Sequence, residues 1–79
     1  MDKDQLEQKR FLKEQVEWCK KQDAVLKKIE EKLYKMRVIA ESALDQELTP
    51  LEVSQLNTQL NTLRREVQFL ERQLRSDLH

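Results

Sequence analysis

Leu48-Thr49-Pro50-Leu51-Glu52-Val53 is the stretch that decides the fold, because it is the one interruption in a chain that otherwise reads as helix. Thr49 is a residue type that caps a helix, its hydroxyl accepting from a backbone N–H of the first turn. Pro50 suits the first helical position, where its missing N–H has no partner to lose. Glu52, three residues after Thr49, completes a capping box. Leu48 and Val53 stand at the two positions of a hydrophobic staple, which fixes the angle at which the chain enters the helix. The spacing therefore predicts a long amphipathic helix over 1–48, a turn, and a second helix over 49–79.

Working outward from the turn, residues 49–79 carry the cleaner pattern. Val53, Leu60, Val67 and Leu74 fall on heptad position a, and Leu56, Leu63 and Leu70 on d. Such regularity is the signature of coiled-coil packing. A helix this short needs a partner to be stable. Between Val53 and Leu63 there is no charge, so that polar face either lies against protein or is solvated without charge.

The first helix carries a broader stripe. Leu12, Cys19, Leu26, Leu33 and Ala40 share position a; Gln15, Gln22, Ile29, Met36 and Ala43 share d. Position g adds Phe11, Trp18, Val25 and Ile39, with Lys32 among them. A g–a–d stripe is wider than a two-stranded seam and predicts two helical neighbours. Opposite charges at i,i+4, such as Lys13–Glu17 and Lys27–Glu31, support the outer face by about 0.2–0.5 kcal/mol each. Tyr34, at b, is expected at the surface.

Folding back at the turn aligns the two patterns. Setting a against d antiparallel predicts the layers Leu26–Leu70, Ile29–Val67, Leu33–Leu63 and Met36–Leu60. The same register brings Lys32 to Glu66. A parallel homodimer would instead face Glu66 with Glu71, a like-charge contact. The expected fold is thus all-α, an antiparallel helical hairpin of coiled-coil type. The alternative is a long parallel coiled-coil dimer kinked at Pro50.

The hairpin would leave the first seventeen residues beyond the end of the second helix. Leu6, Phe11, Leu12 and Val16 then have no cover from their own chain, and Trp18 and Cys19 stand at the edge. An exposed apolar stripe of this kind marks an association surface. The expectation is self-association into a dimeric four-helix bundle. The alternative use is docking a helix of a different protein on the Phe11–Trp18 stripe. Trp18 is expected to be buried in such an interface, and Cys19 to act there as a small apolar residue rather than a redox centre.

Composition narrows the function classes. The chain has 79 residues, no Gly, one Pro and 38% charged residues, a balance typical of long helices. Its mean hydropathy is −0.86, but the regular apolar spacing argues against disorder. Fifteen basic and fifteen acidic side chains cancel, so there is no basic footprint for nucleic acid or an anionic membrane. The segment before Val53 is acidic (Glu41, Asp45, Glu47), unlike the basic region of a zipper-type DNA binder. A calmodulin-target reading of residues 9–35 is weakened by five interspersed acids.

No apolar run is long enough for a membrane span or a signal-peptide core. A single cysteine gives no intramolecular disulfide, so the cytoplasm is expected. There is no phosphate-binding glycine loop, no CxxC or HExxH spacing, and His79 is the one histidine. The expected protein is therefore not an enzyme and takes no cofactor, metal or small-molecule substrate. It reads as an oligomerisation, scaffolding or adaptor segment of a larger cytoplasmic or cytoskeletal protein, partnered by itself or by helices of other proteins.

Overall fold

The computed structural model describes residues 2–76. They form two helices, α1 over Lys3–Leu44 and α2 over Pro50–Ser76. At 1.5 Å per residue these are roughly 63 Å and 40 Å long. The longest dimension of the molecule is 71 Å, whereas the whole sequence drawn as one rod would reach about 118 Å. The chain is therefore folded back, with α2 running antiparallel along α1. Residues 77–79, predicted as part of the second helix, lie outside the described residues.

The turn is built by the chemistry predicted for it. The Glu52 N–H donates to Thr49 Oγ1 at 3.2 Å, and the Thr49 N–H donates to Glu52 Oε1 at 3.4 Å. The Thr49 hydroxyl also donates to Glu52 Oε1 at 3.0 Å. The first backbone bond of α2 runs from the Val53 N–H to the Thr49 carbonyl at 3.0 Å. This is a complete capping box, with Pro50 as the first helical residue. Leu48 is half-buried and Val53 exposed, so the staple is looser than the box.

The first helix stops at Leu44, four residues before the predicted end at Leu48. Asp45 leaves the helix at φ −93° and ψ 3°, and the Gln46 N–H turns back to the Ala43 carbonyl at 3.4 Å. Thr49 must be extended because it precedes proline, so the chain needs a few non-helical residues to change direction. Among the described residues none has positive φ, which is how the turn forms without glycine. At the other end, Asp4 lies in the first turn of α1, where negative charge offsets the helix dipole.

The helices meet along one seam. Ile29, Val67 and Leu70 are its buried centre, with Val25, Met36 and Leu74 packed against them. On α2 the residues withdrawn from solvent are Leu56, Leu60, Leu63, Val67, Leu70 and Leu74, the predicted a and d lines without the exposed Val53, joined by Glu66. On α1 they are Gln22, Val25, Ile29, Lys32, Met36, Ile39 and Ala43. Those residues alternate spacings of three and four, and belong to positions d and g. Leu26 and Leu33, at a, are 45% and 49% exposed. The expected layers Leu26–Leu70 and Leu33–Leu63 are thus corrected: α1 is rotated so that g replaces a in the seam.

The axial register is the predicted one, marked by an ion pair between Lys32 and Glu66. Since Lys32 itself sits at g, this pair belongs with the d–g seam. On the outer face Arg37 pairs with Glu41 at 2.7 Å. In the uncharged stretch of α2, Thr58 and Thr62 donate to the carbonyls of Ser54 and Thr58, at 3.0 and 2.9 Å. Those hydroxyls are satisfied by their own helix, and the stretch is solvated without charge.

A candidate association surface

Two consequences of this packing leave apolar surface uncovered. First, α2 is shorter than α1. With Lys32 level with Glu66, Ser76 comes to stand opposite residues 20–22 of α1. Gln22 is the first buried residue of α1, at 7% exposure. Among the described residues none before it is buried, and Leu6, Phe11, Leu12 and Val16 are all exposed there. Trp18, nearest the end of α2, is 37% exposed.

Second, the rotation of α1 turns its a line away from α2. Positions d and g face the seam, which puts a about a quarter-turn round the helix. Leu12, Cys19, Leu26 and Leu33 therefore form one exposed line, with three of the four side chains leucine. It starts on the overhang and continues alongside the seam for about 32 Å. The sequence had placed the uncovered stripe between Leu6 and Cys19; in the structure the exposed line continues to Leu33.

The area agrees with this reading of the surface. The chain exposes 7072 Å², whereas a compact monomer of 9.6 kDa exposes about 5,100 Å². The difference, roughly 2,000 Å², exceeds the ~800 Å² per partner that a standard stable interface covers.

The opposite flank is different in kind. An open groove of about 590 Å³ lies between the helices there, lined by Lys28, Glu31, Lys35, Arg65, the Lys32–Glu66 pair, Phe69 and Leu70. It carries both signs of charge and one exposed aromatic ring, Phe69. Phe69 sits at heptad position c, outside the a and d lines from which the candidate residues of α2 were drawn. An aromatic residue where a charged one is usual was the available signal. Among the described residues no group of three or more His, Cys, Asp or Glu side chains is placed to hold a metal ion. No helix among them is long and apolar enough to cross a membrane.

The sequence-predicted residues thus separate into two sets. Val25, Ile29, Met36, Leu56, Leu60, Leu63, Val67, Leu70 and Leu74 are gathered in or along the intramolecular seam. Leu6, Phe11, Leu12, Val16, Trp18, Cys19, Leu26 and Leu33 remain on the solvent side. No protein-family model, curated protein or solved structure matches the chain.

Proposed function

We propose that this chain is a non-enzymatic coiled-coil association module whose partner is a second copy of itself. Two hairpins pair through their uncovered α1 faces into a four-helix assembly, which serves oligomerisation or scaffolding within a larger structure. A cytoplasmic setting fits the single free thiol, Cys19.

The observation that carries this reading is the continuous exposed line from Leu12 to Leu33. Exposed leucines at seven-residue spacing are what a coiled-coil neighbour covers, and scattered surface leucines have no reason to share one heptad position. Charge supports the same reading: with a net formal charge of zero, two copies approach without long-range repulsion.

Multi-angle light scattering at tens of micromolar tests it. A dimer has twice the 9.6 kDa chain mass, about 19 kDa. A mass near 9.6 kDa would overturn self-association and leave the surface to a helix of a different protein, docked at Phe11–Trp18.

A further inference from the structure

We propose a second contact between copies, separate from the Leu12–Leu33 face: the acidic turn of one hairpin docks in the basic groove beside Phe69 of another.

The charges carry this inference. The chain is neutral as a whole, but the neutrality is not local. Residues 38–63, which run through the turn, hold Glu41, Asp45, Glu47 and Glu52 and no lysine or arginine. Every basic side chain lies outside that stretch, so the turn end of the hairpin is negative and the rest positive. The groove is where the positive excess meets apolar surface. Lys28, Lys35 and Arg65 line it, and its one acid besides the Lys32–Glu66 pair is Glu31. Among the described residues the ion pairs are Lys32–Glu66 and Arg37–Glu41, which leaves those three cations without a carboxylate.

The apolar surfaces match in the same way. The turn presents Leu44 and Leu51, 85% and 68% exposed, the most exposed large apolar side chains among the described residues. Asp45 and Glu47, both exposed, stand between them in the sequence. The groove offers Phe69, 59% exposed, beside the buried Leu70. An apolar knob flanked by carboxylates has its complement in an apolar floor flanked by cations, and such matching selects partner and orientation.

A hairpin cannot make this contact with itself. Asp45 is about 15 Å along the axis of α1 from Lys35 and about 25 Å from Lys28, and continuous helix up to Leu44 holds them apart. The turn and the groove are different surfaces of one molecule, so the contact is heterologous and association can continue from copy to copy. The groove lies on the flank opposite the Leu12–Leu33 line, so both contacts can form at once. Exposed charges attract only modestly. The contact therefore adds to the dimer at low salt and high concentration, and is lost in high salt.

Zero-length carbodiimide cross-linking of the unaltered chain tests the proposal, because the reagent joins a carboxylate only to an amine in contact with it. Mixing isotope-labelled with unlabelled chains marks the links that run between copies. In about 0.01 M salt, where the Debye length is about 30 Å, mass spectrometry should find Asp45 or Glu47 joined to Lys28 or Lys35 of another copy. In about 1 M salt those links should disappear. Phe69→Ser, checked for helicity by circular dichroism, should lower their yield about fivefold, since the contact loses a ring that is 59% exposed in the hairpin. Links from Asp45 and Glu47 to lysines outside the groove alone, no links at all, or a yield unmoved by Phe69→Ser would overturn the proposal. A monomeric mass in ordinary salt, with the expected links present in low salt, would overturn the Leu12–Leu33 dimer and leave this contact standing.

Discussion

Leu26 and Ile29 are three residues apart on α1, and their truncation to alanine separates the intramolecular seam from the face that pairs copies. Ile29 is buried against Val67 and Leu70. Ile29→Ala is expected to cost about 2–5 kcal/mol through lost burial and a residual cavity. That is a large part of the roughly 4–12 kcal/mol available to a chain of this length. Its loss should lower the urea midpoint at every protein concentration. Leu26, by contrast, is 45% exposed in the hairpin. Fully burying a leucine contributes about 1.5–3 kcal/mol, so covering the remaining half contributes about 1 kcal/mol. A symmetric dimer carries the residue twice, for about 2 kcal/mol, or roughly a 30-fold change in dissociation constant. Sedimentation equilibrium over a concentration series reads this directly. Leu26→Ala should shift the monomer–dimer balance while leaving the helicity of the monomer close to that of the parent. An unchanged dissociation constant would refute the assignment of the a line to the interface. A collapse of monomer helicity would show instead that Leu26 belongs to the seam.

Thr49→Ala removes the hydroxyl at the centre of the capping box and should cost about 1 kcal/mol. That corresponds to a melting temperature lower by about 4–8 °C, read by circular dichroism; an unchanged melting curve would show that the box does not hold the turn. For the Lys32–Glu66 pair, with side chains 28% and 41% exposed, a double-mutant cycle using Lys32→Glu and Glu66→Lys should give a coupling of no more than about 1 kcal/mol. That coupling should fall as salt is added, and the doubly reversed variant should recover stability that each single reversal loses. Small-angle X-ray scattering of the dimer should give a maximum dimension below about 100 Å for hairpins paired side by side along the Leu12–Leu33 line. Hairpins joined end to end by their overhangs would be longer than 110 Å.

How far the fold was legible depends on the range of the forces involved. The capping box at Thr49 and Glu52 is chemistry within four residues, and nothing elsewhere in the chain competes for it. The axial register was also readable, because the alignment that stacks the apolar layers also sets Lys32 beside Glu66, as the structure does. The rotation of α1 was not. A stripe with apolar residues at g, a and d offers a returning helix two seams, a–d or d–g, and periodicity does not rank them. Leucine content favours a–d, through Leu26 and Leu33. The structure takes d–g, with Gln22 and Lys32 included.

What the sequence by itself determined is therefore local and periodic: two helices, a glycine-free turn capped by Thr49, and heptad lines along each helix. These follow from backbone chemistry and from the 3.6-residue repeat, which any packing must respect. Only the tertiary structure decided which side of α1 meets α2. The five residues 45–49 leave α2 little freedom in where it returns. The face it meets depends on the direction in which the chain leaves Asp45, and on whether the Lys32 ammonium can reach Glu66. By taking the d–g seam, the fold left Leu12, Cys19, Leu26 and Leu33 in solvent. The surface available to a second copy follows from that rotation, and a pattern read along one helix cannot specify how the helix is turned.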